Sequence, residues 1–279
     1  VIRRLLLVIL AALTVACGTP GPGPSLTVGA APDSQNLLLA NIYAAGLRYY
    51  GTAANVEVSE DPLAALDAGK VTVAAGFTGR LLARLVPDST ARSAEQVYRV
   101  LAGALPEGIA AGDYAVAAED KPALAVTEQT AESWGSRDLS ALVRDCRQVI
   151  VGSATGTRPQ NTLGECALGP AREFDTPAML FDALRAGVVT AAWTTTAATG
   201  LPDGIVVLVD RKPTLIPAQN VIALYRRNEL DQMQLRAINE IAGVLDTAAL
   251  VQMSDRVKSG ADPRVVAEEW LAANPLGRS

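Results

Sequence analysis

The chain has 279 residues, 49% hydrophobic and 19% charged, enough to bury a sizeable core and too apolar for disorder. Its net charge of −5 argues against a nucleic-acid partner, because nothing would neutralise the phosphates. It contains no histidine, which removes His-based triads, His general bases and nearly all catalytic zinc sites, so neither metal nor cofactor is expected.

The first seventeen residues read as a targeting signal. Arg3 and Arg4 form a positive start, and Leu5 to Val15 is apolar but too short to span about 30 Å of hydrocarbon. Thr14-Val15-Ala16-Cys17 resembles a lipobox, with Thr14 where Leu is usual, so Cys17 is the expected lipidation site; an uncleaved signal anchor is the alternative. The Gly/Pro run that follows, over 18–25, cannot pack a core or continue a helix and reads as a tether.

Short β runs then alternate with helical stretches. Leu26–Ala30 reads as a strand, Ser34 as the cap of a helix with an apolar stripe at Leu38, Ile42, Ala45 and Tyr49, and Asn55–Val58 as a second strand. Asp61–Ala68 reads as a short helix ended by Gly69, and Val71–Ala75 as a third strand closing on Gly76-Phe77-Thr78-Gly79. A second block begins near Ala115, with strands at Ala123–Val126, Val149–Val151, Val188–Trp193, Ile205–Val209 and Val221–Tyr225. Its helices run from Thr130, through Leu139 to Arg144, and from Met179 to Ala186; Leu230 to Ala273 is helical. The alternation implies βαβ units with small ligands at the carboxyl ends of the strands, so the turns after Ala30 and Ala75 are candidate ligand loops. Cys146 and Cys166 are most simply a disulfide, contributing about 3 kcal/mol in the chain-entropy model. A redox or metal pair would lack CxxC spacing and other soft ligands.

From Leu26 to Ala273 the sequence resembles the substrate-binding proteins of osmoprotectant ABC transporters, the OpuAC-like family for glycine betaine, choline and carnitine. The blocks that carry the resemblance are Gly29–Leu47, Asp67–Gly79, Ala123–Thr127, Trp193–Thr196 and Val206–Asn220. It implies an α/β two-lobe clamp of the type II periplasmic-binding-protein kind, each lobe a mainly parallel sheet flanked by helices, with crossing strands as the hinge. Lobe I is expected over 26–115, completed by 213–279, and lobe II over 116–212. The implied partners are a small-molecule ligand and ABC permease subunits. The implied place is the outer face of the cell membrane, held by the lipid alone, as a monomer. A clamp-fold envelope lipoprotein that senses or interacts without transport is the alternative. A hydrolase or transferase would lack both histidine and a Gly-x-Ser-x-Gly elbow.

The resemblance implies an aromatic cage for a quaternary ammonium. Phe77 and Trp193 fall at two of its walls, but Pro122 and Gln219 stand at the other two. Ala31 stands where a lysine that helps hold a carboxylate is usual, and Gly76 where an acid is usual. Tyr43, Tyr98 or Tyr114 are possible substitutes. Ser34, Asn36, Thr78, Thr194, Thr195 and Gln219 supply hydrogen bonds instead, which suits a neutral or zwitterionic polar solute. Each has a plainer alternative: core packing for Phe77 and Trp193, a helix cap for Ser34, a turn for Thr78. Arg158 is either an anion ligand or an exposed side chain.

Overall fold

The computed structural model describes residues 25–144, 146–157 and 159–277. Two five-stranded sheets define two lobes. The first has the order β2-β1-β3-β12-β4, built from β1 (Leu26–Ala30), β2 (Ala54–Val58), β3 (Val73–Phe77), β4 (Ile109–Ala111) and β12 (Val221–Arg226). The second has the order β11-β5-β10-β6-β9, from β5 (Pro122–Thr127), β6 (Val151–Ala154), β9 (Arg172–Phe174), β10 (Ala191–Thr195) and β11 (Ile205–Val207). In each sheet one strand runs against the rest: β12, antiparallel to β3 and β4, and β5, antiparallel to β10 and β11. The reversed strand is in both cases the one that enters the sheet from the other lobe. The expected parallel direction therefore holds for the remaining strands, while crossing over creates the antiparallel pairings.

Partner strands move several boundaries. The third strand starts at Val73, not Val71, and reaches Phe77, because β12 pairs Val221 with Phe77 and Ile222 with Gly76. Helix α3 (Thr78–Leu85) follows with no linker. Helix α1 (Ser34–Tyr49) is capped by Asp33 and not by Ser34. The Asp33 carboxylate accepts the Asn36 N–H on Oδ1 (2.9 Å) and Asn36 Nδ2 on Oδ2 (2.6 Å). Helix α1 also lacks the single stripe that its spacing suggests. It is buried on nearly all sides, with Leu38, Leu39, Ile42, Tyr43 and Leu47 in the core and Tyr49 half exposed. One side faces the sheet, and α8 (Gln232–Val244), α9 (Thr247–Lys258) and α10 (Pro263–Ala273) cover the other. The long C-terminal helical stretch is thus three helices, each restarted by an aspartate cap: Asp231, Asp246 and Asp262.

Remaining helices are α2 (Pro62–Asp67), α4 (Ala94–Ala104), α5 (Glu128–Ser133), α6 (Leu139–Arg144) and α7 (Pro177–Arg185). The second sheet separates two cores by the two-residue strand period. Leu124, Val126 and Trp193 face one side, and Ala125 and Ala192 face the other with Leu180, Phe181 and Leu184. The hairpin β7 (Thr162–Leu163) and β8 (Cys166–Ala167) is tied by a Cys146–Cys166 disulfide with Cα atoms 5.8 Å apart. No helix among the described residues is long and apolar enough to cross a membrane.

Two segments join the lobes and run side by side. Asp120 N–H donates to the Gln219 carbonyl (3.0 Å) and Val221 N–H to the Ala118 carbonyl (3.0 Å), and Glu119 bridges Asn220. The Lys121 ammonium of the first segment lies 3.3 Å from Asp210 of the second, and both side chains are nearly buried.

Candidate functional site

The carboxyl ends of β1 and β3 converge on the first crossing segment. Arg80, in the first turn of α3, is held there from several elements. Its Nη2 is 2.7 Å from Asp120 Oδ2, its Nη1 donates to Gln35 Oε1 (3.2 Å), and its guanidinium lies 4.5 Å from the centre of the Phe77 ring. Gln35 Nε2 also donates to Asp120 Oδ2 (3.0 Å). The Asp120 side chain is only 6% exposed, so its charge requires these donors. The Arg80 backbone N–H donates to Gln219 Oε1 (2.8 Å), which gives α3 the side-chain cap that Phe77 cannot supply. Gly79 permits this approach: a Cβ there would collide with the Ala218 carbonyl and the Gln219 carboxamide.

Beside this network lies a cavity of about 210 Å³ that brings both lobes together. Ser34 and Gln35 line it from the first turn of α1, Asp120 from the crossing segment, Thr195 from the end of β10, and Ser254 and Lys258 from α9. Its size is below the roughly 300 Å³ at which sites for drug-sized ligands begin. Lys258 brings a full positive charge to it, while Asp120 is already paired with Arg80 and the start of α1 already carries the Asp33 carboxylate. The Ser254 Oγ is buried with no hydrogen-bond partner among the described residues, which suits a donor or acceptor from a bound solute. Lys258 Nζ reaches Thr199 Oγ1 (2.9 Å) in the loop that follows β10, so α9 also touches the second lobe's chain.

Of the residues singled out in the sequence, Ser34 and Thr195 meet at this cavity. Asn36 and Phe77 line a second cavity, also about 210 Å³, on lobe I beside Arg80 and Arg84. Thr78 is fully buried and pairs with Asn220, accepting its N–H (3.0 Å) and donating its own to the Asn220 carbonyl (2.9 Å). Gln219 is engaged in capping α3, and Thr194 lies in β10 opposite Ala123. Trp193 is 2% exposed in the lobe II core, whereas Phe77 belongs to that of lobe I, so the two rings form no common cage. Tyr43 is core, and Tyr98 and Tyr114 pack on each other (5.0 Å) beside a different cavity. Cys17 and Arg158 lie outside the described residues. No group of potential metal ligands occurs among the described residues. Sequence reasoning missed Gln35, Arg80, Asp120, Ser254 and Lys258. The available signals were a charged Asp120-Lys121 pair ahead of an apolar strand and the i,i+4 spacing of Ser254 and Lys258.

A family profile described as the substrate binding domain of ABC-type glycine betaine transport system, OpuAC, matches residues 24–273. Among solved structures, a glycine betaine/carnitine/choline ABC transporter protein superposes with a TM-score of 0.72 at 15% identity, covering 89% of this chain and 98% of that one. Apo YehZ from Escherichia coli gives 0.69 at 19% identity, with 90% and 99% covered. A choline-binding protein of an ABC transporter, in complex with choline, gives 0.53 at 15%, with 90% and 89% covered. No curated protein matches significantly.

Proposed function

Since the chain belongs to the OpuAC family of ABC-transporter substrate-binding domains, we propose that it is an extracytoplasmic receptor for a small polar or zwitterionic solute, held where its two lobes meet and passed to permease subunits. On this reading Cys17 carries the lipid anchor. Lobe I comprises 26–115 and 213–279, and lobe II comprises 116–212. The protein acts by binding and not by catalysis.

The observation that carries the solute class is the lining of the interlobe cavity. Hydroxyls of Ser34, Thr195 and Ser254, the Gln35 amide and the Lys258 ammonium present hydrogen bonds, and no aromatic ring lines it. The Lys258 ammonium favours a carboxylate. A quaternary ammonium, which needs π faces or an unpaired carboxylate, finds neither. The specificity has accordingly moved from quaternary ammonium osmoprotectants toward polar solutes without that group, bearing a carboxylate or hydroxyls.

Thermal unfolding of the body after Cys17, against betaines, choline, carnitine, ectoine, amino acids and polyols, tests this. A solute at a hundred times its Kd stabilises by about 2.7 kcal/mol, which raises the midpoint by roughly 5–10 °C for a chain of this size. A polar, carboxylate-bearing or hydroxylated solute should produce that shift. Micromolar affinity for betaine and choline, measured by titration calorimetry, would overturn the reading.

A further inference from the structure

Phe77 closes β3 at the carboxyl edge of the lobe I sheet, with a carboxylate, Asp120, nearby on the crossing segment. An aromatic face with an acid beside it is the combination that attracts an organic cation. Here the molecule supplies the cation itself: the Arg80 guanidinium covers the ring at 4.5 Å while pairing with Asp120 at 2.7 Å. Its position is not a consequence of burial, since the Arg80 side chain is 48% exposed, and Gln35 and Asp120 fix its direction. Arg80 also stands between two spaces. It lines the cavity that holds Phe77 and Asn36, and its partners Gln35 and Asp120 line the interlobe cavity.

We propose that Arg80 sets the charge specificity of the cleft, filling from within the place an organic cation would occupy, so that the unaltered protein rejects cationic solutes and its removal creates a cation site from Phe77 and Asp120. The inference rests on the solute-binding reading above and adds to it the residue that decides which charge is refused. Two effects combine at Arg80. The guanidinium fills the ring face sterically, and its positive charge cancels that of Asp120, which would otherwise attract a cation. With Arg80→Ala the ring face opens into the cavity that Phe77 and Asn36 line, and Asp120 retains only the Gln35 donor described here.

The test is titration calorimetry with choline and tetramethylammonium, two permanent cations without a carboxylate, on wild type, Arg80→Ala and Arg80→Ala/Phe77→Leu. Arg80→Ala should bind both at least roughly tenfold more tightly than wild type, and Phe77→Leu, which keeps apolar volume but removes the π face, should cancel most of the gain. Arg80→Gln keeps a hydrogen-bond donor for Asp120 while losing the charge, and it decides the matter if Arg80→Ala fails to melt cooperatively. Its affinity should lie between those of wild type and a vacated site. Equal cation binding by wild type and the Arg80 variants, or no gain in a variant that melts cooperatively, overturns the role of Arg80. A solute from the neutral or zwitterionic panel that still binds wild type in that case leaves the solute-binding reading standing. Silence of every variant toward every solute overturns both.

Discussion

The Lys121 ammonium lies 3.3 Å from the Asp210 carboxylate, with their side chains 9% and 4% exposed, and the pair joins the two segments that connect the lobes. Asp210 also accepts the backbone N–H groups of Leu215 (3.0 Å) and Ile216 (3.1 Å). Removing one partner of such a buried pair leaves a charge without compensation. Asp210→Ala should therefore cost about 3–5 kcal/mol in urea unfolding, and Asp210→Asn, which still accepts hydrogen bonds, clearly less. An unchanged midpoint for Asp210→Ala would show that the pair does not hold the connection.

Ser254 and Lys258 project from successive turns of α9 into the interlobe cavity. A hydrogen bond to a charged group contributes about 1.5–3 kcal/mol, so Lys258→Met should weaken binding of a carboxylate-bearing solute by roughly ten- to hundredfold. Ser254→Ala should weaken it less while leaving the melting temperature of the free protein nearly unchanged, because its Oγ has no internal partner to lose among the described residues. Calorimetric Kd values for the two variants check this, and wild-type affinity in both would move the solute elsewhere.

Asp61 caps α2 and receives the Arg84 guanidinium, whose hydrogen bonds hold its carboxyl below the usual carboxylate value. A carboxyl depressed in the folded state contributes stability that is complete above its unfolded pKa, near 4, and lost as pH falls through the folded value. The pair is well exposed, so the contribution is at most about 1 kcal/mol. Asp61→Asn keeps the cap and removes the charge; it should lower the melting temperature slightly at neutral pH and flatten its decline below about pH 4. Melting curves of both proteins from pH 7 to the acid limb measure it, and parallel declines would refute the linkage.

Local pattern carried much of the fold. The run Leu26–Ala30 and the aspartate-led, proline-started α2 are set by neighbours in sequence, and the structure has them where composition puts them. The end of β3 is different. Its last two residues are strand only because β12, some 145 residues away, pairs with them, and no window of sequence contains that partner. The site suffered most from the same blindness. Alternation assigns Trp193 to one face of its strand but cannot say that this face is packed core. Gln219 reads as a polar candidate for ligand until α3 arrives to take its side-chain Oε1. Ser254 and Lys258 look like ordinary helix residues until the loop after β10 comes beside them.

Helix α1 is among the first elements of the described chain, yet its outer face is closed by α8, α9 and α10, which are among the last. Without those three helices the outer face of α1 would meet water. A chain emerging from its amino terminus holds an unfinished apolar helix until nearly every residue has followed, while the lobe II sheet, drawn from the middle of the sequence, already has all its strands. Lobe I is thus closed only by chain drawn from both ends of the described residues, with the returning strand β12 between β3 and β4.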